Sequence, residues 1–456
     1  MKFKTINPAT EEVIGEYKTQ SNEEVLRILK SCHEAFLLWK KMTLLHRADK
    51  MKKLAQVLRK NTEKLARLAT IEMGKPIKSA RAEVEKCAWT ADFYAEKAAE
   101  WLKEEIVQVD GKKHAVAFEP VGVVLLVMPW NFPFWQVFRC AIPTIIAGNA
   151  VVLRHSNQVP QCAQAIEEMF VEAGFDVFRM VITDHDTVGH MIASESIAGV
   201  SLTGSTEAGS KVAEIAGRHL KKVVLELGGS DPFIVLEDAD VDAAVKNAVI
   251  GRTMNNGQSC IAAKRFIVHE KIAESFSKKF AEQMGRLVVG DPLDEKTDVG
   301  PLVNAAALSK VEQQVQNTVK KGGKVLVGGR RLERKGFFFL PTVIKHAPRD
   351  AAVVDEEVFA PCAPVIVFRN DDEAIAIAND TVFGLGGSVW TKDVVKGERI
   401  ARQIDAGTVF VNSIVKSDPR MPFGGIKKSG IGRELSHYGL KEFVNVKGIN
   451  VYEGNK

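Results

Sequence analysis

Between residues 121 and 228, five apolar runs alternate with stretches of helical spacing, and that alternation restricts the fold more than any other feature of the chain. The runs cover 121–127, 150–153, 180–183, 200–203 and 223–227, with helical text between them at 163–173 and 208–220. A strand that is apolar on both sides must be covered on both faces, and strand–helix alternation supplies that cover in a parallel sheet. Five strands in about one hundred residues is the scale of a mononucleotide- or dinucleotide-binding domain. After Gly229 the same texture starts again. Strands are expected at 233–236, 264–269, 324–327, 365–368, 387–390 and 408–411, and helices at 241–255 and 271–288. A chain of 456 residues exceeds what one core holds, so a second α/β domain is the natural division.

The flanking segments read differently. Residues 1–20 alternate around Asn7, Pro8 and Gly15 and predict a short hairpin. Ser21 and Glu24 form a capping-box pattern ahead of Val25, Ile28, Leu29, Cys32, Phe36 and Trp39, which recur at helical spacing. Helical text continues over 44–105 with a break near Gly74, Lys75 and Pro76, and Cys32 and Cys87 are read as core fillers. Residues 442–452 alternate like an edge strand, which calls for a partner, so a homodimer or homotetramer is expected. The 62 basic residues against 57 acidic ones form no dense block, which argues against a nucleic-acid partner. The most apolar stretch, 121–138, is cut by Pro129 and Pro133 and falls short of the roughly 20 apolar residues of a membrane helix. The N-terminus carries no apolar signal core. Six cysteines stand far apart without disulfide or metal spacing, so no metal is expected, and the cytoplasm is the expected location.

Four short stretches hold residues able to do chemistry, and each has a bland reading beside it. The polar turn NNGQSC at 255–260 displays Cys260, which is either a buried filler or a nucleophile. GSTEAG at 204–209 lies between a strand and a helix, where Ser205 serves either as a simple cap or as part of a pyrophosphate site at the helix start. Glu226 ends a buried run before Gly228 and Gly229; it is either a charge facing water or a base whose pKa burial raises. PWNFP at 129–133 fixes Asn131 between two prolines, as a packed turn or as a donor to an oxyanion.

Together with EEVFAP at 356–361 and PFGGIKKSGIGRE at 422–434, these stretches resemble, in order and spacing, the aldehyde dehydrogenase superfamily along the whole chain. The resemblance implies an α/β fold with a Rossmann-type NAD(P)-binding domain at 1–108 and 122–228. It further implies a catalytic α/β domain at 229–432 and a small β oligomerisation extension at 109–121 and 433–456. It implies Cys260 as nucleophile, Glu226 as general base, and Asn131 with the Cys260 amide as oxyanion hole. Trp130, Thr203, Gly204, Ser205, Leu227, Gly228, Glu357 and Phe359 are implied cofactor residues, as are Arg154, Asn157 and Gly189. Residue 360 is alanine where the family usually has glycine. A free thiol is only about 3% ionised at neutral pH, so the site is expected to lower its pKa. The implied reaction is oxidation of an aldehyde to the acid through a thiohemiacetal and a thioester on Cys260.

Cofactor and substrate choice rest on finer text. Arg154 replaces the family's lysine, and Asn157 stands where a glutamate would repel a 2′-phosphate. NAD or NADP is therefore expected, with NAD favoured, and Arg154 and His155 are read as able to attract the phosphate. Arg139, eight residues after Asn131, matches the arginine that grips the distal carboxylate in succinate-semialdehyde dehydrogenases; its bland reading is a salt bridge. Ser417 matches a serine that assists there, while Met254 stands where some of these enzymes carry a second arginine. Succinate semialdehyde is the expected substrate. A broad, lactaldehyde- or glyceraldehyde-type dehydrogenase is one alternative, and a catalytically retired binding protein of the same fold is another.

Overall fold

The computed structural model describes residues 2–453; Met1 and residues 454–456, the outermost parts of the expected first domain and oligomerisation extension, lie outside them. The five predicted parallel strands form one sheet in the order Phe178–Val181, Ala150–His155, Val123–Met128, Ile197–Thr203, Lys222–Glu226. The strand order reverses at Val123–Met128, whose neighbours are the next strand in the chain on one side and Ile197–Thr203 on the other. Such a reversal opens a crevice at the carboxyl ends of the strands. A sixth, short strand, Gly430–Ile431, joins antiparallel against Lys222–Glu226 and sets Gly430 opposite Glu226. Gly430 is left-handed (φ 151°), and a Cβ there would stand 2.0 Å from the Leu225 carbonyl oxygen, so only glycine lets the strands meet. This pairing falls within the stretch expected to belong to the catalytic domain.

The second sheet has seven strands, in the order Lys324–Val327, Thr342–Lys345, Cys362–Phe368, Ala263–His269, Asp231–Val235, Gly386–Trp390, Thr408–Val411. All neighbours are parallel except the first pair. Its strands are apolar on both sides because each face has its own core. Ile234, Ile267, Ile344, Ile366 and Val389 pack on one face, and Phe233, Val235, Phe266, Val268, Val343 and Val365 on the other.

The N-terminal hairpin, Lys2–Ile6 with Val13–Lys18, and the Ser21–Glu24 capping box are both present. The helical text over 44–105 resolves into Leu44–Lys60, Thr62–Met73 and Ile77–Trp101, and Cys32 and Cys87 are buried in the core it builds on the first sheet. Val444–Val451 pairs antiparallel with Lys113–Pro120, which also pairs with the short Glu105–Ile106, giving a separate three-stranded sheet. Among the described residues no helix is long and apolar enough to cross a membrane.

Candidate active site

The helix Val241–Thr253 stops two residues earlier than its apolar text, because Asn255 (φ 54°) and Asn256 (φ 60°) turn left-handed and Gly257 follows at φ 73°. Asparagine tolerates that region. At Gly257 a Cβ would lie 2.4 Å from the Ala360 carbonyl carbon, so the turn closes against the 356–361 loop only with glycine. Side-chain amides then hold the turn. Asn256 Nδ2 donates to the carbonyls of Gly74 (2.8 Å) and Pro301 (3.0 Å), while its Oδ1 accepts from the Gly300 N–H (2.7 Å). Arg252 donates to the carbonyls of Gly257 (2.7 Å) and Ala263 (3.0 Å). Lys264 donates to those of Ser259 (2.9 Å) and Cys260 (2.6 Å) and pairs with Glu357 at 3.2 Å. Cys260 alone among the six cysteines is half-buried rather than buried.

Cys260 stands where two cavities meet. One, of about 220 Å³, lies at the crevice of the first sheet and is walled by Trp130, Asn131, Thr203, Ser205, Glu357 and Phe359, with Gly204, Leu227 and Gly228 behind. Ser205 caps the helix Thr206–Arg218 by accepting the Ala208 N–H (3.2 Å), so its own hydroxyl proton is free to donate into the cavity. The cap and the cavity wall are thus the same residue. Glu357 accepts the Gly229 N–H (3.0 Å), and a Cβ on Gly228 would come within 2.7 Å of its carboxylate. Trp130 and Phe359 stand edge to face, 5.9 Å apart. A helix start with a free hydroxyl, a held carboxylate and an aromatic wall fit a dinucleotide that presents pyrophosphate, ribose and a flat ring.

Arg154, Asn157 and Gly189 do not line this cavity. Arg154 ends the adjacent strand and donates to the Thr183 carbonyl (3.3 Å), and Asn157 lies in the turn that follows. Gly189 lies within the helix His185–Ala193, against Ile215 of the helix Thr206–Arg218. His155 corrects an expectation. It is buried, with Nε2 bonded to the Pro133 carbonyl (2.9 Å) and Nδ1 accepting the Ser156 N–H (2.9 Å), and burial pushes its pKa down to about 4. A neutral, fully bonded imidazole attracts no phosphate.

Asn131 is buried beside the cysteine turn. One N–H of its side chain donates to the Gln258 carbonyl (3.1 Å), and its own carbonyl accepts from Asn255 Nδ2 (2.6 Å). Glu226 lines neither cavity. Its carboxylate lies against Gly424, where a Cβ would be 2.8 Å from Oε1, and neither oxygen has a hydrogen-bond partner. Burial, then the nearby Glu434, holds its pKa well above the carboxylate range, against the pull of Arg139 and Arg433. The thiol departs from expectation in the same direction: the protein packed around it pushes Cys260 up to about 12, and Lys264 and Arg139 only partly offset this.

The second cavity, of about 270 Å³, is mostly apolar and includes Phe132, Trp135, Met254 and Ile261. Arg139 and Ser417 both line it. Arg139 is buried and forms an ion pair with Glu434, with its guanidinium over the Phe423 ring at 4.7 Å and Nη2 3.4 Å from Thr203 Oγ1. The bland reading of Arg139 as an internal salt bridge therefore holds as geometry, although the side chain still faces the cavity. Ser417 is held by Lys86, whose ammonium donates to its carbonyl and its hydroxyl, both at 2.7 Å.

A family model described as the aldehyde dehydrogenase family matches residues 1–449. The chain belongs to the aldehyde dehydrogenase family. It is similar to a protein of Synechocystis sp. named a probable NADP+ succinate-semialdehyde dehydrogenase, at 45% identity over 98% of this chain and 99% of that one. The NAD(P)+ succinate semialdehyde dehydrogenase Sad of Escherichia coli is 41% identical, over 98% of this chain and 97% of its own length. A crystal structure of succinic semialdehyde dehydrogenase from Streptococcus pyogenes, in complex with NADP+, superposes with a TM-score of 0.96 at 36% identity, covering 99% of this chain and all of that one.

Several residues of this aldehyde dehydrogenase site were not singled out from the sequence. Glu434 stands inside a quoted motif at 422–434, and Lys264 at the start of the strand expected at 264–269, yet nothing in the letters shows what they face. Lys86 carries no signal at all: it is one lysine on a long amphipathic helix, far from every motif.

Proposed function

We propose that the protein oxidises succinate semialdehyde to succinate with NADP+, accepting NAD+ as well. The observation that carries this reading is the position of Cys260 between a nucleotide-shaped cavity and a cavity with cations in its wall. The aldehyde enters from the second cavity, and the Cys260 sulfur, after losing its proton to solvent, attacks the carbonyl carbon as a thiolate. The oxygen becomes an oxyanion that the Asn131 side-chain N–H and the Cys260 backbone N–H hold. Ser205, Glu357, Trp130 and Phe359 would hold the nicotinamide cofactor, which when bound accepts the hydride as the thiohemiacetal becomes a thioester. Glu226 turns from its place at Gly424, gives up its proton to solvent once it leaves that buried position, and as a carboxylate takes a proton from the water that attacks the thioester, so releasing the acid. Arg139 and Ser417 face the end of the cavity that receives the substrate's distal carboxylate.

NADP+ is supported by the names of the relatives, and the expectation that favoured NAD finds no such support. Asn157 brings no carboxylate against a 2′-phosphate, and Arg154 is the cation nearest that place in sequence. The division into a cofactor domain at 1–108 and 122–228, a catalytic domain at 229–432 and an oligomerisation segment at 109–121 and 433–456 is part of the same proposal, as is a homodimer or homotetramer in the cytoplasm.

The test is initial-rate reduction of NADP+ and of NAD+ with succinate semialdehyde against butanal, an uncharged aldehyde of equal length. The semialdehyde is expected to be preferred by about 10- to 150-fold in kcat/KM, the worth of one charged hydrogen-bonded contact. Equal use of the two aldehydes, with Arg139→Ala altering neither, would defeat the reading.

A further inference from the structure

We propose that Lys86, acting with the Ser417 hydroxyl it orients, is the cation that holds the carboxylate end of the substrate. This deepens the semialdehyde reading above and rests on it. Among the described residues, five charged side chains line the second cavity; three have ion-pair partners, and Lys86 and Lys416 do not. Arg139 is matched by Glu434, Lys75 by Glu83, and Asp418 by Arg420. Lys86 has no carboxylate partner. Its two hydrogen bonds go to the neutral carbonyl and hydroxyl of Ser417, and its ammonium stands 4.1 Å from the centre of the Trp135 ring, on the cavity wall. An ammonium with three donors, two of them bound to neutral acceptors, keeps a full positive charge to offer an anion. Because Ser417 Oγ accepts from Lys86, its own proton is free to donate, so a carboxylate meets an ammonium and a hydroxyl side by side. Lys416 also lines the cavity, but it is exposed, where water screens its charge. Lys86 is half-buried, and Met254, also in the lining, adds no charge.

The same partial burial makes the contact sensitive to pH. Burial, then the nearby Arg139, lowers Lys86 to about 8; Cys87, Asp418 and Glu83 act the other way. Above that pH the free enzyme loses the ammonium while the substrate stays anionic. The ratio of kcat/KM for succinate semialdehyde to that for butanal cancels the groups common to both reactions, such as Cys260 and Glu226, and isolates this one.

The ratio is to be measured from about pH 6.5 to 9.5 in the wild type, Lys86→Met, Lys86→Arg and Lys416→Met. In the wild type the ratio is expected to fall as pH rises through about 8. Lys86→Met lowers it about 10- to 150-fold at neutral pH and flattens its pH dependence. Lys86→Arg restores discrimination and carries it to higher pH, since guanidinium does not titrate there. A merely structural role would depress both substrates together and leave the ratio intact. The proposal is overturned if the wild type discriminates and Lys86→Met still does so, or if Lys416→Met abolishes discrimination in its place. A wild type that uses both aldehydes equally at every pH overturns the semialdehyde reading itself, a different result from either.

Discussion

The Cys260 sulfur sits under opposed influences: packing keeps the proton on it, while Lys264 and Arg139 favour the thiolate. Burial and the nearby Glu434 likewise favour the uncharged form of Glu226. In the free enzyme both groups are therefore biased towards their uncharged forms, and the thiolate fraction at neutral pH is small. With a thiol pKa near 12, alkylation of Cys260 by iodoacetamide is expected to rise about tenfold per pH unit between about pH 7 and 9, because only thiolate reacts. The other five cysteines are buried, so mass-spectrometric mapping of the labelled peptide reads this residue alone. A labelling rate that levels off below about pH 8 would show that the site ionises the thiol before any ligand arrives. The motif text singles out Cys260 as the proposed nucleophile but not this state, since it says which residues meet and not how much water they keep.

At the scale of the element, NNGQSC is mostly scaffold. Asn256 bonds to two separate pieces of chain, at Gly74 and at Gly300 with Pro301, and adopts a left-handed backbone that alanine takes poorly. Asn256→Ala strips buried carbonyls and an N–H of their partner, so it is expected to cost about 3 kcal/mol, read as a shift of the urea unfolding transition. A change below about 1 kcal/mol would mean that water takes over the bonds. The elements themselves were legible where a period repeats: the five strands of the first sheet fall within a few residues of their apolar runs, and the Ser21 cap lies where its letters put it. Less visible were elements whose pattern is short or broken. Thr342–Lys345 is four residues long, and Trp135–Ile146 is buried on every face and follows a proline-rich turn, so periodicity marks neither. The site was legible through its motifs and hidden wherever a contact joins distant text. Lys86 to Ser417, Arg139 to Glu434 and Asn256 to Gly74 are each made by folding and leave no trace in local spacing.

At the scale of the whole molecule, the small three-stranded sheet presents an open edge. Val444–Val451 has Lys113–Pro120 on one side and no strand on the other among the described residues, and Val446 and Ile106 on this small sheet are 61% and 57% exposed. Edges of this kind recruit another strand, and a second copy of the chain offers one by symmetry. Val446→Asp is expected to shift the protein towards monomer in sedimentation equilibrium; an unchanged mass would move the interface elsewhere. The strand Gly430–Ile431 bears on how the protein comes into being. Chains are made from the N-terminus, so the sheet carrying Glu226 stays open at one edge until almost the last residues have been added. Ser429, just before that strand, accepts the Leu227 N–H at its carbonyl and donates its hydroxyl to the Gly228 carbonyl, both beside Glu226, the proposed base. A nascent chain therefore holds its thiol and its nucleotide crevice well before it holds the wall that buries the base. A product truncated before Gly430 would carry Asn131, Glu226, Cys260 and Glu357 yet lack both the strand against Glu226 and the Glu434 that pairs with Arg139.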